Sequence, residues 1–355
     1  MIHFTPGPSE IYFTVQDHLK KAFRDSIPSL SHRSPKFEEI YMEATSGLRE
    51  LLGIPKDFYV TFTASATEIW ERSIQSLVQD QSFHLVNGAF SRKYFQISQQ
   101  LQKNAQKAEV SEGKGFHQVT IPAGQELIGV THNETSTGVS LSTSFISSLR
   151  ASNPGSIIIV DAVSSLPFPE FDYHNLDSIF FSVQKGFGLP AGLGVWIYNP
   201  RCVEQSEQML KKGHPIGTYH SIPSLTSFAR KNQTPTTPNV LGIYLLGKVV
   251  DDFRRRGIAI IRKETEYKAA VLYQALDKRS DMSPFVKDVA DRSKTVITID
   301  CGSRLNDLTT YLNAKGFCPG EGYGEYKNTH LRIANFPAHS KEQFETLADA
   351  IDAFQ

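Results

Sequence analysis

The sequence predicts an α/β fold: a large domain built on a mainly parallel sheet, with a smaller C-terminal α+β domain. Three observations predict it. Short segments such as Ile157-Ile158-Ile159-Val160 are apolar at every position, which marks strands buried on both faces beneath helices. Polar residues gather just after these segments, where open α/β sheets place their sites. The chain has 355 residues, more than one ordinary core encloses.

The elements follow in order. Residues 1–15 are turn-like around Pro6-Gly7-Pro8. Residues 36–52 carry Phe37, Ile40, Tyr41, Ala44, Leu48, Leu51 and Leu52 at helical spacing. Tyr59–Phe62 reads as a strand, followed by small residues and a helix rich in Ile, Trp and Leu. Further strands are expected at His84–Val86, Leu127–Thr131, Ile157–Asp161, Ser178–Val183 and Gly194–Tyr198. Residues 212–239, rich in Pro, Thr, Ser and His, read as a long ordered loop. A helix is expected from about Val240 to Leu276, interrupted at Gly257. Strands at Thr295–Ile299 and His330–Ala334, with helices near 304–315 and 340–354, suit the smaller domain. The expected division is 16–250 for the large domain, with 1–15 and 251–355 forming the small one.

Lys plus Arg equals Asp plus Glu, at 37 each, so the chain has no general attraction to nucleic acid or to acidic membranes. Three widely spaced cysteines, Cys202, Cys301 and Cys318, indicate neither a disulfide framework nor a metal site. Neither a signal peptide nor a membrane span is visible, and the expected location is cytoplasmic.

Several residues are suited to chemistry. Lys185 follows an apolar strand and precedes Gly186 and Gly188. An amine held against apolar surface is desolvated, which favours the neutral form that makes a Schiff base with an aldehyde. Most lysines are solvated surface charges, so context carries this reading. Asp161 ends its strand, as a turn or cap aspartate or as a partner that keeps a pyridine nitrogen protonated. Ser65-Ala66-Thr67 lies between a strand and a helix, as a plain N-cap or as a phosphate cradle. Phe90 offers a face to a flat ring or fills core. Thr135, in Asn133-Glu134-Thr135, offers a hydroxyl. Arg332, between Leu331 and Ile333, is either an edge residue facing water or a buried carboxylate clamp. His32 and Arg33 lie in an early loop, as a surface turn or as a reader of an anionic substrate.

Together these residues resemble the class V aminotransferases, and within them the phosphoserine aminotransferase group. The similarity runs from Thr5-Pro6-Gly7-Pro8 to Arg332. It rests on an ordered set: Ser31-His32-Arg33, the small residues after the Tyr59 strand, Asn133-Glu134-Thr135 with Gly138, Asp161-Ala162-Val163-Ser164-Ser165, and Ser182 with Gln184-Lys185. The resemblance implies a pyridoxal-phosphate-dependent transferase of fold type I. It implies that Lys185 joins the cofactor and carries a proton, that Asp161 pairs with the ring nitrogen and that Thr135 meets the ring hydroxyl. Phe90 stands where the family usually stacks a tryptophan. Ser65, Ala66, Thr67 and Gln184 would lie by the cofactor phosphate. The family's Asn-Thr-Pro segment, which reaches that phosphate from the other subunit of a homodimer, best matches Thr236-Thr237-Pro238, with Gln233-Thr234-Pro235 as a second register. Arg332 matches the arginine that binds the substrate carboxylate, and His32 and Arg33 match residues that help bind the substrate phosphate. One departure stands out: where the phosphoserine enzymes carry a His-Arg pair shortly before that arginine, this chain has Glu325-Tyr326.

The implied reaction is amino transfer between glutamate and 3-phosphohydroxypyruvate, in serine biosynthesis. The competing reading is a serine– or alanine–glyoxylate-type aminotransferase, which needs no phosphate pocket. Cysteine desulfuration through Cys318 and a non-catalytic regulator are two further readings. The first lacks the usual small-residue loop around its cysteine. The second lacks a DNA-binding appendage and retains Lys185.

Overall fold

The computed structural model describes residues 1–355. In the first half of the chain the helices are α1 (Val15–Arg24), α2 (Pro35–Leu52), α3 (Ala66–Leu77), α4 (Ala89–Gln100) and α5 (Thr143–Ser152). The strands of that half are β1 (Ile2–Phe4), β2 (Tyr59–Thr63), β3 (Gln81–Val86), β4 (Asn104–Glu109), β5 (Leu127–Thr131), β6 (Asn133–Glu134), β7 (Val139–Ser140) and β8 (Ile157–Asp161). There follow β9 (Ser178–Ser182), β10 (Gly194–Tyr198), α6 (Pro200–Lys211), α7 (Ile222–Ala229), α8 (Val240–Arg256) and α9 (Ile258–Asp277). The chain closes with β11 (Ser283–Pro284), β12 (Val296–Asp300), α10 (Leu305–Ala314), β13 (Phe317–Glu321), β14 (His330–Ala334) and α11 (Lys341–Ala353).

Seven strands form the large sheet in the order β2-β10-β9-β8-β5-β3-β4. Only β10 runs antiparallel to its neighbours. Alternation along each strand divides its side chains between two apolar layers. Ile158, Val160, Ile179 and Phe181 pack with α2 and α8, while Ile157, Ile159 and Phe180 pack with α3 and Trp196. Both faces are thus covered, which is why these strands are apolar throughout. A second sheet, β1-β13-β14-β12-β11, packs Phe4, Ile297, Ile299, Leu331 and Ile333 against α9, α10 and α11.

Several features differ from the sequence expectation, among them β1, which lies in the 1–15 segment read as turn-like. The 212–239 segment is not all loop: Ser221 and Pro223 open the helix α7, and Pro in a first turn loses no helical hydrogen bond. β4, reading NAQKAE, is an edge strand beside β3 with half its residues exposed, so it carries no apolar run. β13 contains Pro319 and Gly320, which the sequence does not mark as strand; Pro319 lies beside Phe4 of β1 and Gly320 beside Arg332 of β14. The expected interruption at Gly257 separates α8 from α9.

Candidate active site

β8 and β9 are parallel neighbours with Asp161 opposite Phe180. Asp161 at the end of β8 and the turn after β9 therefore emerge at one edge of the sheet. Lys185 lies in that turn and is only 8% exposed. Burial pushes its amine down to about 8, against the attraction of Asp161 and Glu134, and Arg332 pushes it the same way as burial. Asp161 accepts from the Trp70 indole Nε1 at 2.9 Å and from the Val163 amide at 2.9 Å. Burial nevertheless raises it to about 6, with those donors and Lys185 opposing.

Lys185 Nζ donates to Thr135 Oγ1 at 3.3 Å and stands 5.5 Å from the centre of the Phe90 ring. Thr135 in turn donates to Ser164 Oγ at 2.8 Å. The N-terminal segment closes another side: Ser9 N–H donates to Gln184 O at 3.1 Å, and a Cβ on Gly7 would stand 2.6 Å from Lys185 Cε. With φ at 141° the Gly7 backbone also lies where side chains are strained, so the position favours glycine.

Ser65 caps α3, accepting from Glu68 N–H at 3.1 Å, and the Ala66 amide donates to Ser182 Oγ at 3.1 Å. Hence the first turn of α3, with Ala66 and Thr67, is fastened beside the end of β9. A helix start there favours an anion. Arg332, on β14, reaches across from the small sheet. Its Nε donates to Glu321 O at 2.7 Å and its NH1 to Thr135 O at 3.1 Å. The guanidinium lies 5.5 Å from the Tyr323 ring centre, and burial lowers it to about 10.

The remaining expected residues form a second group. Arg33 donates to Gln233 Oε1, Thr234 O and Pro235 O, and lies over the Phe228 ring. His32 Nδ1 is 3.4 Å from Thr237 Oγ1. None of these bonds reaches the Lys185 group within the chain. Thr236 and Thr237 line a cavity of about 130 Å³ with Thr63, Ala64, His220 and Asn239, among others, next to the segment that leads into α3.

Sequence reading missed Trp70, Ser164 and Glu134 as parts of this site. Trp70 is a polar-tipped aromatic on the helix after β2, and buried indoles find acceptors. Glu134 sits inside the motif from which only Thr135 was singled out.

The residues fit pyridoxal phosphate. A buried amine suits its aldehyde, and a buried carboxylate at the same sheet edge suits its ring nitrogen. A hydroxyl, an aromatic face and a helix start suit the rest of the molecule.

The chain belongs to the Aminotransferase class-V family, which matches residues 3–323. It is a pyridoxal-phosphate-dependent aminotransferase. Among solved structures it is similar to a phosphoserine aminotransferase from Cytophaga hutchinsonii, with 48% identity and a TM-score of 0.97 over 99% of this chain and 98% of the other. Among curated proteins it is similar to the phosphoserine aminotransferase of Rhodococcus opacus, 28% identical over 333 residues, 92% of this chain and 88% of that protein. A ureidoglycine–glyoxylate aminotransferase from Bacillus subtilis, at 21% identity and a TM-score of 0.83 over 99% of this chain and 92% of its own, shares the fold.

Proposed function

We propose that this chain transfers the amino group between glutamate and 3-phosphohydroxypyruvate, giving phosphoserine and 2-oxoglutarate, as a cytoplasmic homodimer serving serine biosynthesis. The observation that carries the reading is its 48% identity, over essentially its whole length, to the phosphoserine aminotransferase of Cytophaga hutchinsonii. We take residues 16–250 as the cofactor-binding domain, and 1–15 with 251–355 as the domain that brings Arg332 to the substrate.

When bound, the cofactor supplies an aldehyde that condenses with amines and a ring that takes up the electron pair left at the substrate Cα. Lys185 would hold it through Nζ and, once its amine is free, would carry the proton from the substrate Cα to the cofactor carbon that keeps the amino nitrogen. That task needs a neutral amine, and burial already holds Lys185 at about 8. Asp161, fixed by Trp70 and Val163, keeps the ring nitrogen protonated. Thr135 orients the ring through its hydroxyl, and Phe90 covers one face. Ser65, Ala66, Thr67 and Gln184 receive the phosphate, aided by Thr236 and Thr237 supplied to the partner subunit's site. Arg332, with Nε and NH1 on backbone carbonyls, is pre-oriented to bind the α-carboxylate. His32 and Arg33 help receive the substrate phosphate.

A second reading, transfer from serine or alanine to glyoxylate, is favoured by one feature. Glu325 is exposed beside Tyr326, Lys327 pairs with Glu321 at 3.2 Å, and His330 is buried against Phe285 and Tyr326. Lys327 is the only lysine or arginine of the 324–330 segment, where the His-Arg pair would be, and it is already paired. The visible spectrum of the cofactor-loaded protein separates the two. Low concentrations of phosphoserine and of glutamate should bleach the band, while serine and alanine should not. Bleaching by serine or alanine alone would replace the first reading with the second.

A further inference from the structure

Glu134 is fully buried, at 0% exposure, and no opposite charge pairs with it directly. Yet its carboxylate is saturated. Oε1 accepts from Phe90 N–H at 3.3 Å, Ser136 N–H at 3.1 Å and Ser136 Oγ at 2.6 Å, while Oε2 accepts from Ser91 N–H and Ser91 Oγ, each at 2.9 Å. A further bond, from Ala89 N–H to Ser136 Oγ at 3.0 Å, completes the first turn of α4.

These bonds answer a local need. The residue before α4 is Gly88, which has no side chain to cap the helix. A Cβ at Gly88 would stand 2.4 Å from Glu134 Cγ, so the missing cap is what admits the carboxylate from another segment. A carboxylate at a helix start is favoured both by the free amides and by the helix dipole. The cap spans 44 residues of sequence, from Glu134 to Phe90.

Its two ends carry the two groups that border Lys185 Nζ. Phe90 is in the first turn of α4, and Thr135 directly follows Glu134. The carboxylate therefore determines how far the aromatic face stands from the Thr135 hydroxyl. Arg332 joins the same turn through Thr135 O.

We propose that Glu134 is the positioning residue of this site: its buried carboxylate clamps the start of α4 to the 133–136 turn and thereby sets the slot between Phe90 and Thr135 in which the cofactor ring is held. This rests on the cofactor reading of Lys185.

The test uses the cofactor-loaded protein with Glu134→Gln, which keeps the shape but places an amide donor against donors. Loss of charge-assisted hydrogen bonds should weaken cofactor retention roughly ten- to a hundredfold, measured by equilibrium dialysis. Because an asymmetric slot twists the bound ring, the visible circular dichroism per bound cofactor should fall as well. Tyr273→Phe, which removes the buried bond to Ser293 O at 2.8 Å, is the control for general destabilisation. It should lower the melting temperature and leave both cofactor readings unchanged. Glu134→Asp, which keeps the charge on a shorter stem, should recover part of the retention. Retention and dichroism equal to the parent in Glu134→Gln would overturn the proposal, as would equal losses in Tyr273→Phe. Should Glu134→Gln fail to fold, the clamp is tested by Ser136→Ala, which removes the hydroxyl bonds to Glu134 and to the Ala89 amide, with the same two expected losses in smaller measure and parent-like values overturning it. A parent protein with no visible band would instead defeat the cofactor reading of Lys185.

Discussion

Replacing Lys185 by Met in the cofactor-free protein should make it more stable near neutral pH. Met is unbranched, only one atom shorter than Lys, and carries no charge. Burial lowers the Lys185 amine from 10.5 to about 8. At about 1.4 kcal/mol for each tenfold change, that gap corresponds to a folding penalty of about 3 kcal/mol. Against it stands the bond to Thr135 at 3.3 Å, long for a hydrogen bond and worth about 1–2 kcal/mol; the attraction of Asp161 is already contained in the lowered value. The expected net gain is therefore about 1–2 kcal/mol at about pH 7. Between about 8 and 10.5 the folded chain carries fewer protons on this nitrogen than the unfolded chain, so the parent's stability rises with pH across that window. The variant has no such proton to lose, and its advantage should be full below about 8 and gone by 10.5. Urea unfolding of both proteins at the two ends of the window, with equal slopes, measures this. A variant that is less stable near neutrality, or an advantage that does not change with pH, would refute the reasoning. The amine that costs stability is the one the proposed reaction would require.

Other outcomes follow from the same geometry. Arg332→Ala should raise the KM of every amino donor, by roughly ten- to a hundredfold for the loss of a bidentate charge pair; steady-state kinetics with glutamate and phosphoserine checks this, and an effect on one donor alone would contradict the carboxylate role. Asp161→Asn should reduce kcat at least about a hundredfold, because the ring nitrogen loses the charge that keeps it protonated; single-turnover rates read this directly, and an undiminished rate would remove Asp161 from the mechanism. Arg33→Ala frees Thr234 O and Pro235 O from their guanidinium and should raise KM for phosphoserine more than for glutamate, again by steady-state kinetics. Cys318→Ser should leave turnover unchanged, since no step uses a thiol; loss of activity would favour desulfuration instead.

How much of this was legible depended on distance along the chain. Asp161 and Lys185 were visible because each sits at the end of a run that is apolar on both faces, so a charge there stands out. Arg332 was visible for the same reason, between Leu331 and Ile333. The elements that escaped are those whose neighbours replace local signals. β4 is held by its ladder to β3 and carries no apolar stripe, and β13 tolerates Pro319 beside β1 at the sheet's edge region. Within the site, Trp70 reaches Asp161 across 91 positions and Glu134 reaches Phe90 across 44. Neither contact leaves a periodicity or a spacing to read. Arg33 was singled out as a charge, but its three bonds to the 233–235 segment belong to tertiary packing.

The most direct test is to reduce the cofactor-loaded protein with borohydride, digest it and locate the added mass. The pyridoxyl group should be found on the peptide containing Lys185 and on no other. Its appearance on a different lysine, or its absence altogether, would contradict the assignment on which the site, the chemistry and the proposed function depend.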